Sequence, residues 1–583
     1  MKKVTLLFVM MAILLPFCSA LCQDLNDYID RIKGDTLVIK DYFDLDEKAG
    51  SLYEVMRLDT ANVPEGRVYQ LKTNGYYPLL FNASTIRNTV IVGEDNRMIV
   101  NNDDTSAPPL ISGYEYSCGG IDVAHDLTIK NCQIVNVSNE CTHGIYFTST
   151  KASGLNLLYD NCLFEHAAHW FVFVRDDSNQ SVAFRNCYFV NMNGQPCRRD
   201  GGVFISFHKQ EKLLVENCTH IMAQGNLYKF MTYEDTYEFD SIIFNHNTFI
   251  NCAGNLLLNP GYQSNMYITN NIFVNCNVQP YMKGLDYAET DPDSLPMGIV
   301  NVRDIPDSPE QPVRKIKVEK NVIYWDPGLS DIVSQVSSAD VNGTSEWYDQ
   351  MITMNTRTQA MFDDDASYPY LVEADWYNTK PDFTDPRNLF SDQLNNLKDF
   401  SIATVELTSL AILPDWRLVN TEPDTYVYPD WPVPVDLSYS DADLLTAAIS
   451  NFPVGDLNWF PDKKSEWLAQ RDAEYEYIQT FPSTGPQGIE TGKNVISTFR
   501  LDKNYPNPFN ASTIISFSIP KAAYVKLKIY NIQGQEVATL LDGFSPARNY
   551  KLSFDGQYLS SGTYIAQLAA GDFNKSIKLV LIK

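Results

Sequence analysis

The chain has 583 residues, 44% of them hydrophobic and 12% aromatic, and a formal net charge of −27. That much apolar material argues against global disorder and supplies a sizeable core. The acidic balance argues against nucleic acid as a partner, and it repels an acidic polysaccharide unless a cation or a local basic patch intervenes.

The first residues read as an export signal. Lys2 and Lys3 give a positive start, residues 6–16 an apolar run, and Cys18-Ser19-Ala20 small residues for cleavage. The run is too short to span a bilayer comfortably. Residues 1–22 are therefore expected to leave, with the cut near Ala20 or just before Gln23. Lipid attachment through Cys18 or Cys22 competes with this reading, although Phe17 and Leu21 are poor residues to precede a lipidated Cys. No other apolar run is long enough to cross a membrane, so the mature chain is expected to have no transmembrane segment.

A repeat follows. Leu127-Thr128-Ile129-Lys130-Asn131-Cys132 returns as Leu157 to Cys162, Val182 to Cys187 and Leu213 to Cys218. It continues as Ile242 to Asn247 and Met266 to Asn271, with a weaker copy ending at Asn321. The intervals are 30, 25, 31, 29 and 24 residues, then 50. Alternating apolar residues and polar turns at this period predict two or three short strands per coil of a stacked parallel β-helix. Second strands are expected at 145–147, 171–173, 203–205, 227–229 and 256–258, and an early coil at 89–93. Cys132, Cys162, Cys187 and Cys218 then share one slot in successive coils, which Asn247, Asn271 and Asn321 continue. Cys252 and Cys276 form a second ladder step. These thiols read as buried packing residues, with disulfides between coils as the alternative. Cys118, Cys141 and Cys197 fall outside the ladders and are better placed to pair.

On this pattern, residues 85–329 resemble the right-handed parallel β-helix of the pectate-lyase-like superfamily. The resemblance implies a cap over residues 23–84, because an open stack would expose its core and a strand edge. Residues 330–480 turn acidic and loop-rich, with the Asp363-Asp364-Asp365 run, and read as a C-terminal cap whose tryptophans pack onto the helix. Short helices are expected there at 442–449 and 465–477. The Asp run admits a calcium site or a solvated acidic loop; it lacks regular oxygen spacing. Residues 481–497 form a Pro/Gly/Ser linker.

The tail, 498–583, predicts a small sandwich with strands at 513–519, 525–530, 536–541, 550–555, 562–569 and 575–582, and Gly534 and Gly543 in turns. Its opening Asn504-Tyr505-Pro506-Asn507-Pro508-Phe509-Asn510, the Val525-to-Gly534 segment, Leu559-Ser560-Ser561-Gly562-Thr563-Tyr564 and the final Lys578-to-Lys583 run resemble the type A C-terminal sorting domain of the type IX secretion system. A fibronectin-type sandwich would not be expected to carry the Pro-Asn-Pro-Phe opening or the basic end. The resemblance implies that Pro506, Asn507, Pro508, Phe509, Gly534, Gly562, Tyr564 and Lys583 carry a sorting signal, that the type IX machinery is a partner, and that the protein passes through the periplasm to become secreted or surface-bound. The whole chain is thus expected to be all-β: a right-handed parallel β-helix, a loop-rich cap and a small C-terminal β-sandwich.

The long outer face of such a helix suits an extended extracellular polysaccharide. Hydrolases of the superfamily use paired carboxylates. Here Asp176-Asp177 and His143-Gly144 are fragments in reversed order without an Asn-x-Asp partner. Lyases use a base beside a neutralised uronate carboxylate, and the Arg-x-Pro-x-x-Arg signature of pectate lyases is absent. One local feature favours an anionic ligand: residues 171–230 hold seven Lys and Arg against five Asp and Glu. Aligning the second strands sets Trp170, Gly202 and Asn226 level and brings Arg175, His208 and Lys229 into neighbouring coils. These three are the candidate catalytic residues, with Tyr228, Asp177, Arg198 and Arg199 as ligand contacts. Lyase chemistry is preferred to hydrolysis, and a non-catalytic surface or adhesion protein holding glycan in the same groove is the alternative. His166 and His169 read as turn residues, two His being a thin metal signal. No cofactor is called for apart from the calcium reading.

Overall fold

The computed structural model describes residues 24–583 except 61–62, 65, 96–105, 114–118, 137–145, 168–169, 175–176, 193–201, 231–238, 259–260, 279–280, 283–294, 306–312, 340–344, 348–350, 385–393, 398, 400–401, 403–430, 434, 482–498, 505, 520–522, 546–547, 558 and 572. The export signal, Cys118, Cys141, Cys197 and His169 therefore lie outside the described residues, as does the linker apart from Phe481.

Strands stack in parallel on three faces. Face I runs through Leu127–Lys130, Asn156–Asp160, Ser181–Arg185, Gln210–Glu216, Phe239–Asn245, Asn265–Thr269 and the first half of Lys315–Tyr324. Face II follows in each coil, with Gln133–Asn136, Leu163–Ala167, Tyr188–Met192, Thr219–Ala223, Thr248–Cys252 and Ile272–Val274. Face III holds Ala83–Ser84, Ile121–Val123, Tyr146–Thr150, Trp170–Val174, Gly202–Ser206, Tyr228–Phe230 and Leu257–Leu258. Parallel pairing on face I already begins with Thr36–Ile39 on Val68–Leu71 and continues to Leu371–Tyr377, so the stack takes in strands on both sides of 85–329. The helix Ser51–Leu58 buries Leu52, Val55 and Met56 beside the first coils.

The corner between faces I and II explains the repeat. Asn131, Asn161, Asn186, Asn217 and Asn270 all have φ between 50° and 59°, the left-handed region that Asn tolerates best among residues with a Cβ. The kink turns the next side chain inward. Cys132, Cys162, Cys187, Cys218, Asn247, Asn271 and Asn321 occupy that inward slot, all of them buried. The six described cysteines of both ladders are free thiols. In the Asn half of the column, the N–H of Cys218 donates to Asn247 Oδ1, that of Asn247 to Asn271 Oδ1 and that of Asn271 to Asn321 Oδ1, each at 3.0 Å. The Asn271 amide also donates to the Phe244 carbonyl at 3.0 Å. Each Asn thus satisfies backbone polar groups that the kink would otherwise leave buried and unpaired. On the inner side of face II, Phe164, Phe189, His220, Phe249 and Phe273 stack as one column, with centroids 4.3–5.2 Å apart.

Beyond the stack, the acidic region returns along the outside of the coils rather than forming loops alone. Residues 442–449 give short 3-10 turns, Leu444–Thr446 and Ile449–Asn451, because Ser450 and Asn451 take positive φ. Pro461, suited to the first helical position, starts a helix at Pro461–Gln479, longer than the expected 465–477. Trp459 and Trp467 are buried against the coils. The tail is a sandwich of a three-stranded and a four-stranded sheet. Gly543 lies in the strand Glu536–Ser545 opposite Val525, not in a turn. Among the described residues, no helix is long and apolar enough to cross a membrane.

Replacing Asn271 with Ala leaves the Asn247 N–H without its side-chain acceptor and removes one donor to the Phe244 carbonyl. At about 1–3 kcal/mol for a buried orphan, Asn271→Ala is expected to lose roughly that much stability. Chemical denaturation read by circular dichroism checks this.

Candidate functional site

The outward side chains of face III form one row, in which Ser84, Asp122, Ser149, Phe173, Ile205 and Lys229 are register partners in succession. Trp170, Phe173 and Ile205, with Tyr146 and Phe207 against them, make an apolar cluster separate from the interior core. Tyr146 and Phe173 stack with centroids 3.7 Å apart. Trp170 pairs with Gly202, and a Cβ there would lie 2.0 Å from Trp170 Cζ3 and 2.3 Å from the Asn226 carbonyl oxygen. Gly202 is therefore the vacancy that lets the indole lie across the next coil. Lys229 Nζ stands 5.8 Å from the centroid of that indole, a cation–π distance. Trp170, Phe173, Ile205 and Lys229 are buried, and Tyr146 and Phe207 half-buried.

The expected site residues separate on this frame. Lys229 joins the outward cluster. Strand alternation turns Tyr228 the other way: it is fully buried inside the coil, with its hydroxyl 2.9 Å from His220 Nε2. A ligand on the outer face does not reach Tyr228, which corrects the ligand contact expected of it. Burial drives His220 well below the usual imidazole range, so this pair is neutral core. His208 and Asp177 occupy the turns that follow face III, both half-buried. The Gln210 amide ties them, donating to the His208 carbonyl at 2.8 Å and the Asp177 carbonyl at 3.2 Å. Arg175, Arg198 and Arg199 lie outside the described residues, as do Asp176 and His143.

The basic count over 171–230 does not describe one patch. Arg185 and Lys212 belong to face I, where Arg185 sits 3.5 Å from Glu216, and Lys209 pairs with Asp240 at 3.1 Å. His166 lies within the face II strand Leu163–Ala167 rather than in a coil turn, at φ 54° where the pairing register shifts, and 3.2 Å from Glu165. In the Asp run, Asp364 caps its own turn by accepting from the Ser367 N–H, and among the described residues no three His, Cys, Asp or Glu side chains converge as metal ligands.

Sequence reasoning missed the polar seam beneath the C-terminal segment. Glu216 accepts from Arg471 and Tyr475. Thr219 donates to Asp456 at 2.7 Å and accepts from the Trp459 indole at 2.8 Å. Glu474 accepts from Asn245 and Trp467 at 2.9 and 3.0 Å. These bonds fasten the segment to faces I and II. Burial pushes the Asp456 carboxyl up to about 6, against the lowering effect of its hydrogen bonds from Asn458 and Thr219 and of nearby Lys464.

In the tail, the opening motif is stitched to the final strand. Asn507 donates to the Lys578 carbonyl at 2.9 Å and accepts from the Val580 N–H at 3.0 Å. Phe509 is buried and bridges to Leu581, while Pro506, Asn507 and Pro508 stay exposed. Tyr564 donates to the Ser560 carbonyl, and the Lys583 N–H to Ser561 Oγ. Gly534 provides a turn at φ 77°, and Gly562 begins a strand.

Residues 503–583 match the family model described as a secretion system C-terminal sorting domain, and residues 117–292 match that of the right handed beta helix region. No curated protein and no solved structure matches the chain. The sorting domain makes the type IX secretion machinery a partner and the protein a secreted or cell-surface one.

Two outcomes follow. Gly202→Ala is expected to force the indole off the coil and cost about 1–3 kcal/mol, the usual range for overpacking, in a thermal melt. Asp456 holds its proton more tightly folded than unfolded, so its contribution is greatest below about pH 4, declines through pH 6 and is flat above. A shift of two units is worth about 3 kcal/mol. Asp456→Asn removes that decline, measured as unfolding free energy against pH.

Proposed function

We propose that this exported β-helix holds an extended extracellular polysaccharide along face III. The supporting observation is the face III cluster in which half-buried Tyr146 and Phe207 lie at the surface beside buried Trp170, Phe173 and Lys229. Aromatic faces take the apolar faces of sugar rings, and a lysine beside them favours a carboxylated sugar over a neutral one. Coils about 4.8 Å apart extend this cluster along the axis across the four successive strands from Tyr146–Thr150 to Tyr228–Phe230, which suits an extended polymer. The sorting domain delivers the protein to the compartment where such polymers occur.

A uronate lyase of the pectate-lyase-like kind is the second reading. His208 and Asp177 stand in adjacent turns at the end of the same face. A base there would take the proton beside a carboxylate that Lys229 neutralises, and the sugar C–O bond on the adjacent carbon would break as the double bond forms, the leaving oxygen taking up a proton.

The full chain should be screened against neutral and uronate polysaccharides for binding and for ultraviolet absorbance of unsaturated uronide. Binding to a uronate polymer is expected, weakened by about tenfold, or 1.4 kcal/mol, in Lys229→Gln. Release of unsaturated product selects the lyase. A folded protein that binds no polymer in the panel ends the proposal.

A further inference from the structure

We propose that the N-terminal end of face III holds a second sugar subsite, built from Phe81, Asn82, Asp122, Ser149 and Lys151, that takes a neutral, hydroxyl-rich sugar. The inference rests on the polysaccharide reading and adds the kind of polymer to it: one that carries both neutral and acidic sugars.

An exposed ring marks the place. Phe81 is 63% exposed, and it stands two residues ahead of the first face III strand, Ala83–Ser84. Tyr53, half-buried on the helix Ser51–Leu58, braces it, with the rings tilted at 58° and their centroids 5.7 Å apart. A ring braced on one side and open to water on the other is a platform for the apolar face of a sugar.

Beside it a polar network crosses adjacent coils. Asn82 accepts from the Gly120 N–H at 3.0 Å and donates to Asp122 Oδ1 at 3.2 Å. Lys151 Nζ stands 3.3 Å from the same oxygen and donates to Ser149 Oγ at 3.3 Å. Asp122 and Ser149 are register partners on the outward row. The Lys151 side chain is 48% exposed and that of Asp122 23%, so both reach solvent. Among the described residues none donates to Asp122 Oδ2, and Ser149, having accepted from Lys151, keeps its hydroxyl hydrogen to give. The network thus offers acceptors and donors at fixed positions, which sugar hydroxyls can use together. The C-terminal strap, residues 444–481, bonds to Thr219 of face II and Asn245 of face I, whereas this network lies along face III.

Charge decides the sugar. Asp122 and Lys151 cancel, so the network has no net charge with which to attract a carboxylate, and Asp122 repels one. The other end of the row differs, because Lys229 stands there over the Trp170 indole. Asp122, Ser149, Phe173, Ile205 and Lys229 succeed one another coil by coil, which sets the two ends four steps, or about 19 Å, apart. A single sugar does not bridge that distance, and an extended oligomer does.

The test is calorimetric titration of the full chain with oligosaccharides of increasing length, in three arms: alternating uronic acid and neutral hexose, uronic acid alone, and neutral hexose alone. In the mixed arm, affinity is expected to rise until the oligomer covers about 19 Å, and to exceed that of either other arm at equal length. Phe81→Ala is expected to weaken the long mixed oligomers by about two- to tenfold and to leave the shortest acidic ones unchanged. Asp122→Asn, which breaks the ion pair at constant shape, is expected to act on the same long oligomers. Both positions reach solvent, and thermal melts check that both variants stay folded. If the two variants bind long mixed oligomers as tightly as the unaltered chain while Lys229→Gln loses affinity, the second subsite is overturned and the polysaccharide reading stands. Binding in none of the three arms overturns both. A dimer of the unaltered chain that Phe81→Ala dissociates, seen by sedimentation, gives the ring to a second copy and overturns the subsite as well.

Discussion

The left-handed kink between faces I and II is the constraint on which the rest of the structure depends. It places one residue per coil in a conformation that Asn accepts, then turns the following Cys or Asn inward. Because strand side chains alternate, that single turn decides which residues of faces I and II enter the core and which look out. The Asn half of the column adds backbone hydrogen bonds from coil to coil, and the Cys half fills the same slot with small buried thiols.

Much of this was legible. The Asn-Cys repeat marks the corner directly, since both residues are there for local reasons. The sorting domain is legible because its opening motif and last strand are one structural unit, joined through Asn507 and Phe509. Tyr228 was misassigned because sequence proximity to Lys229 suggested a shared groove, whereas neighbours on a strand face opposite ways. The basic count failed for a related reason: 60 residues of a β-helix cross three faces and several corners, so Arg185 and Lys212 end on face I. The strap was illegible beyond its helix. Its partners, such as Thr219 for Asp456 and Asn245 for Glu474, lie 237 and 229 residues away and leave no periodic trace.

The chain thus divides its outer surface. Faces I and II receive the strap, whose contacts are polar and partly ionic. Face III carries an aromatic and cationic row and the turns with His208 and Asp177. The same coil stacking serves both: it brings Glu216, His246 and Glu474 together on one side and Phe173, Ile205 and Lys229 on the other. Export is lodged in the terminal sandwich, and the proposed glycan binding would fall to the coils, so the two are separable in this arrangement.

Register at the corner can be measured by disulfide trapping. Lys130 and Asp160 are partners in adjacent coils, and Arg185 lies one coil beyond Asp160. Adjacent parallel strands about 4.8 Å apart fall within disulfide reach, and strands two coils apart do not. The double variant Lys130→Cys with Asp160→Cys is predicted to cross-link under mild oxidation, and Lys130→Cys with Arg185→Cys to stay reduced. The reverse outcome would contradict the stacking itself.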